Sequence, residues 1–93
     1  MATEREQAPR EPRRFRVLLL NDDYTTMEFV VMVLTTVFHL EETRAVEVML
    51  HVHHHGVGVA GIYPHEVAET KVNKVHELAR QNEFPLRCTM EPE

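Results

Sequence analysis

The chain predicts an α+β fold of order β-α-α-β-α-β, with a three-stranded, mainly antiparallel sheet and three helices on one face. Three observations lead there. Two short apolar runs and one β-branched, glycine-containing run have strand length, whereas three longer segments repeat their apolar residues at helical steps. The 93 residues suffice for one small core, which buries about 60 to 65% of the surface of the unfolded chain. With so few helices, a sheet covered on one side is the simplest arrangement.

Residues 1–14 hold four Arg, three Glu and two Pro with almost nothing to bury, which predicts a disordered N-terminal extension ahead of a domain over 15–93. Residues 15–20, Phe-Arg-Val-Leu-Leu-Leu, predict a first strand well covered on at least one face. Asn21-Asp22-Asp23 then ends the run. Thr25-Thr26-Met27-Glu28 has capping-box spacing, so Thr25 is expected to open a helix that runs to about Phe38. Its inward residues are expected to be Met27, Val30, Val31, Leu34 and Phe38, with Val33 and Val37 widening the face. A second helix starts at Glu41-Glu42-Thr43, where acidic side chains suit the positive end of the dipole, and carries Ala45, Val48, Met49 and Val52 inward until Gly56 stops it. Residues 56–63 are small and β-branched and predict a second strand, in which Gly58 and Gly61 permit a bulge or a close approach. Pro64 suits the first turn of a third helix with Ala68, Val72, Val75 and Ala79 inward, ending near Gln81-Asn82. Phe84-Pro85 makes a turn, and residues 86–90 form the last strand.

Composition narrows the function. A formal net charge of −5 without a basic stripe argues against nucleic acid and favours basic partners or protonated amines. The single cysteine, Cys88, cannot form an internal disulfide, and no apolar run of about 18 residues or secretory leader is found, so a cytoplasmic, reducing location away from membranes is expected. No Ser-His-Asp, Cys-His or acid-base pair has workable spacing, and Gly56-x-Gly58-x-x-Gly61 lies within a strand instead of at a strand-to-helix turn. Neither catalysis nor a cofactor is expected.

Asn21-Asp22-Asp23 offers one amide and two carboxylates at a strand end. Ordinary turn chemistry is the bland reading; a cation site, best filled by an ammonium group, is the functional one. The latter gains weight if Thr25 caps the helix and leaves both carboxylates spare. His51-Val52-His53-His54-His55 admits three readings. His51 and His55 share a helix face and could form part of a metal site, although no Cys or acidic ligand completes it. Histidines at a helix C-terminus are also favoured by the dipole. His53, four residues after Met49 and beside Val52, lies at the border of the inward stripe and is the functional candidate. Met27, in the first turn after the tripeptide, and Met49 are either core filler or the wall of a shallow apolar hollow.

Asn21-Asp22-Asp23-Tyr24-Thr25-x-Met27-Glu28-Phe29-Val30, Met49-Leu50-x-Val52-His53, Glu66-Val67-Ala68-Glu69-Thr70-Lys71-Val72 and Pro85-Leu86-x-Cys88-Thr89 together closely resemble the ClpS family, over nearly everything from Arg16 to Glu91. The resemblance implies a non-enzymatic adaptor that binds proteins by a destabilising N-terminal residue, Leu, Phe, Tyr or Trp, and hands them to the ClpA unfoldase of the ClpAP protease. It implies that Asn21, Asp22 or its backbone, Asp23 and His53 contact the substrate α-amino group and first peptide bond. Thr25, Met27, Val30, Met49, Val52 and Leu86 would line the pocket for the first side chain, with Met27 as a gate against β-branched residues. Glu66 and Lys71 would contact the N-terminal domain of the unfoldase from an exposed face, and the 1–14 extension would assist delivery. Thr26 stands where the family usually has Pro, Pro64-His65 departs from its usual turn, and His54 and His55 crowd the rim beside His53.

Overall fold

The computed structural model describes residues 13–93. In chain order these form β1 (Arg14–Leu20), α1 (Met27–Thr36), α2 (Glu42–His55), β2 (Val57–Pro64), α3 (His65–Gln81) and β3 (Arg87–Pro92). This is the predicted order. Most of the expected N-terminal extension, residues 1–12, lies outside the described residues, and Arg14 already belongs to β1. The Arg14 guanidinium donates to both carboxylate oxygens of Glu93, at 2.7 and 3.0 Å, and the Glu93 amide donates to the Arg14 carbonyl at 2.9 Å. β3 therefore continues past the expected end at Met90, to Pro92.

The sheet order is β2-β1-β3, and both pairings are antiparallel. Central β1 points Val17 and Leu19 into the core, both at 0% exposure, and leaves Arg16, Leu18 and Leu20 on the open face. Opposite Val17 and Leu18 the register slips, because Val17 pairs Gly61 and Leu18 pairs Val59, leaving Ala60 as the additional residue of a bulge. Both glycines allow close approach, though of side chains: a Cβ at Gly58 would lie 2.7 Å from Val52 Cγ2, and one at Gly61 would strike the Tyr63 ring. Gly58 thus lets α2 rest against β2 at the turn of helix that carries Val52 and His53.

Helices α2 and α3 bury the faces that their periodicities foretell. Ala45, Val48, Met49 and Val52 of α2 are all buried, as are Ala68, Val75 and Ala79 of α3, while Val72 is half-buried. In α1, Phe29 joins Val30, Val33 and Leu34 in the core and packs its ring 4.8 Å from that of Phe84, which follows α3. Two boundaries of α1 differ from expectation. Its N-cap is Thr26, whose hydroxyl oxygen accepts from the Phe29 amide at 3.1 Å, so the Thr25 capping box does not form. Its end comes at Thr36, short of Phe38, where the Thr35 and Thr36 hydroxyls donate back to the Met32 carbonyl and His39 turns left-handed at φ 59°. Gly56, at φ 88°, ends α2 as predicted. Among the described residues no helix is long and apolar enough to cross a membrane.

Candidate ligand-binding cleft

Where β1 ends, the chain leaves the sheet toward the start of α1 and passes the end of α2. The Asn21 amide donates to the Gly56 carbonyl at 2.9 Å, which ties the Asn-Asp-Asp loop to the stop of α2. That stop requires a left-handed residue, a conformation glycine adopts without strain. The junction brings together Asn21, Asp22, Asp23, Thr25, Met27, Val30, Met49, Val52 and His53 around a cleft of about 190 Å³. One end is polar, with Asn21, Asp23 and His53 exposed at the rim; the other is apolar, with Val30, Met49 and Val52 buried beneath. Met27, 45% exposed, stands at the rim and also borders an open groove lined by Val31, Met32 and Val46. Its exposure departs from the inward placement that its spacing suggested, because it is the first residue of α1 and has no preceding turn to cover it.

Asp22 and Asp23 are not equivalent. Asp22 Oδ1 accepts from the Tyr24 and Thr25 amides at 2.8 and 2.7 Å, and Oδ2 accepts from the Thr25 hydroxyl at 2.7 Å. The turn reading is therefore right for Asp22, and the expectation that Thr25 left both carboxylates spare is not met. Burial pushes the Asp22 carboxyl up, but the hydroxyl and two amides outweigh it and hold the group below its ordinary value. No hydrogen bond or ion pair among the described residues engages the Asp23 side chain.

Leu86 does not line this cleft; it is 4% exposed and belongs to the core. Glu66 and Lys71 lie elsewhere, on an apolar groove of about 710 Å³ between α1 and α3 with Met32, Val37, Val67 and Leu78. Glu66 is exposed as expected, whereas the half-buried Lys71 donates to the Val37 carbonyl at 2.6 Å and lies 5.4 Å from the Tyr63 ring centre. Periodicity did not reveal this groove; the signal was Val67, an apolar residue outside the inward stripe of α3 and 42% exposed. The histidines also divide. His51 and His55 stack at 4.2 Å on the far side of α2 from His53, whose ring meets that of His54 edge-on at 5.3 Å. Among the described residues no three His, Cys, Asp or Glu side chains converge as metal ligands would, which leaves the metal alternative without a donor set.

Residues 10–89 match the family described as ATP-dependent Clp protease adaptor protein ClpS. The chain belongs to the ClpS family. Similar relatives bear the same description: one from Desulfatibacillum aliphaticivorans is 58% identical over 91 residues, spanning 98% of this chain and 88% of the relative. Another, from Myxococcus xanthus, is 56% identical over 92 residues, spanning 95% of this chain and 86% of the relative. Among solved structures, Agrobacterium tumefaciens ClpS2 bound to L-phenylalaninamide superposes with a TM-score of 0.86 at 41% identity, covering 89% of this chain and all 100% of that one. This ClpS-family chain thus shares the helix arrangement and the three-stranded antiparallel sheet of that structure.

Proposed function

We propose that this ClpS-family protein is a non-catalytic adaptor that captures proteins by a bulky hydrophobic N-terminal residue with a free α-amino group and delivers them to a ClpA-type unfoldase in the bacterial cytoplasm. The observation that carries the reading is the two-ended cleft, whose rim of Asn21, Asp23 and His53 opens onto the floor of Val30, Met49 and Val52. An α-ammonium has three N–H donors, and the Asn21 carbonyl oxygen, the Asp23 carboxylate and an unprotonated His53 nitrogen offer three acceptors. Asp22 contributes through the loop backbone beside the first peptide bond. The relative bound to L-phenylalaninamide supports the reading, since that molecule combines a free amine, an aromatic side chain and one amide.

Each half of the cleft contributes a comparable increment. An ammonium about 4 Å from a carboxylate is attracted by about 4 kcal/mol at an effective dielectric of 20, before desolvation is subtracted. Burying a Leu or Phe side chain contributes about 1.5–3 kcal/mol. Recognition therefore needs both the charge and the side chain. Thr25 and Met27 complete the side-chain wall, with Met27 as its movable gate; Leu86 acts from the core by supporting the floor. For delivery, Glu66 and the Val67-lined groove face the unfoldase N-terminal domain, while Lys71 holds the groove together.

Binding of a peptide series that varies only in its first residue, with an α-N-acetylated control, tests the reading. Leu, Phe, Tyr and Trp peptides are expected to bind, and acetylation, which removes the charge and donors, to abolish binding. Equal affinity for free and acetylated peptides overturns it.

A further inference from the structure

Within the amine-binding reading proposed above, on which this inference rests, we infer that the Asp22 side chain is a positioning residue: it shapes the loop that offers Asp23 and Asn21 to the ligand and does not itself hold the ammonium. Both of its carboxylate oxygens are engaged within the loop, by the Tyr24 amide, the Thr25 amide and the Thr25 hydroxyl, at 2.7–2.8 Å. An incoming ammonium would have to displace one of these donors or share an oxygen whose charge they already offset. Asp23 carries the same charge one residue later with no internal donor on its side chain, so it is the carboxylate left to face a cation. The depressed Asp22 pKa agrees, since the loop donors favour the ionised form more than burial opposes it.

The loop is held at two points. At its start, the Asn21 amide is joined to Gly56 at the end of α2, and so to the helix that carries His53. At its far side, Asp22 gathers Tyr24 and Thr25 immediately before Thr26 caps α1. Asp23 lies between these attachments. Its direction is thus fixed relative to His53 and Met27 by one backbone bond and three bonds to Asp22. Without the Asp22 side chain two amides and a hydroxyl lose their partner, and the segment bearing Asp23 is released.

The role makes a distinction that simple charge counting does not. Asn at position 22 keeps a carbonyl oxygen for the two amides but removes the charge, whereas Ala removes both. Full-length wild-type protein, Asp22→Asn, Asp22→Ala, Thr25→Val and Asp23→Asn would be titrated with a fluorescent N-terminal Phe peptide and its acetylated form at low and high salt, with melting temperatures recorded. Asp22→Asn is expected to stay within about threefold of wild type and keep its salt dependence, while Asp22→Ala loses about tenfold or more, and Thr25→Val falls between them. Asp23→Asn is expected to lose about tenfold or more and to flatten the salt dependence. Two results overturn the inference: Asp22→Asn losing as much as Asp23→Asn with the same flattening, or Asp22→Ala binding like wild type. Should Asp22→Ala not fold, the Asn and Val variants carry the decision alone. Wild-type protein that binds the acetylated peptide equally well would instead overturn the amine-binding reading itself.

Discussion

The two ends of α1 border two depressions that differ in size and chemistry. At the N-terminal end the cleft holds about 190 Å³ and gathers polar groups from one loop and one helix end above an apolar floor. At the C-terminal end the groove is larger, about 710 Å³, yet it is wide and predominantly apolar, and its best-placed cation, Lys71, is engaged with the Val37 carbonyl. The helix is capped differently at each end. Thr26 caps the first turn from its own sequence neighbourhood, whereas at the other end the carbonyl of the C-cap Val37 receives Lys71 from α3, 34 residues away. Volume therefore ranks these sites poorly. A small ligand is selected by convergent donors and acceptors, while a broad apolar face suits a folded partner.

Substitutions can separate the two regions. The largest effect is expected at the polar rim: Asp23→Ala or His53→Ala should weaken an N-terminal Leu or Phe peptide by about 10- to 100-fold, since a hydrogen bond to a charged group is worth about 1.5–3 kcal/mol. The melting temperature should hardly move, because both residues are exposed. Unchanged affinity in anisotropy titrations would break the assignment of the small cleft as the selective one.

Next is the support beneath it. Gly58→Ala sets a methyl 2.7 Å from Val52 Cγ2, and Val52 lines the cleft. A loss of about 1 kcal/mol in denaturant unfolding should accompany weaker peptide binding, with binding at the α1–α3 groove preserved.

Comparable losses should follow from removing either cap, with opposite functional consequences. Thr26→Ala should cost about 1 kcal/mol and reduce peptide affinity, because the first turn of α1 carries Met27 and Val30. Lys71→Met should also cost about 1 kcal/mol, by leaving the Val37 carbonyl without its donor, and should weaken unfoldase binding while sparing the peptide. If both variants lose both activities, the two ends of the helix are coupled and the contrast fails.

Within the ordinary pH range the effect is graded. A peptide α-amine titrates at about 8, so affinity should fall as pH rises through that value. On the acid side, the Asp22 pKa is depressed in the folded state. Its contribution to loop stability is therefore complete above the ordinary aspartate value and is lost as pH falls through the lower folded one. Amide exchange of Tyr24 and Thr25 followed by NMR should report that loss; protection that persists after Asp22 is protonated would contradict it.

Much of this was legible in the chain. The inward stripes of α2 and α3 followed from spacing because helical period and burial coincide wherever a helix lies on a sheet. Gly56 announced its stop because few other residues take a left-handed conformation cheaply. The start of α1 was displaced by one residue, since Thr25 and Thr26 both suit an N-cap and only the competing pull of Asp22 on Thr25 decides between them. Thr26 thus supplies the cap with its side chain, one residue later than expected. The reach of β3 to Pro92 depended on Arg14 and Arg16 meeting Glu93 and Glu91, pairings more than 70 residues apart in sequence.

By itself the sequence determined the order of elements, the buried stripes and which residue types could meet an amine, because these depend on neighbours within a few positions. The folded backbone decided which acceptors remain available, locally at the turn through Tyr24 and Thr25 and over long range where α3 meets the end of α1. Asp22 and Asp23 are adjacent and chemically identical, yet the turn engages one and presents the other. Similarly, Lys71 reads as a surface charge until the end of α1 comes within reach. Hydrogen-bond partners are chosen by position in space, so the capacity of a side chain to bind a ligand emerges only after the fold has taken its share.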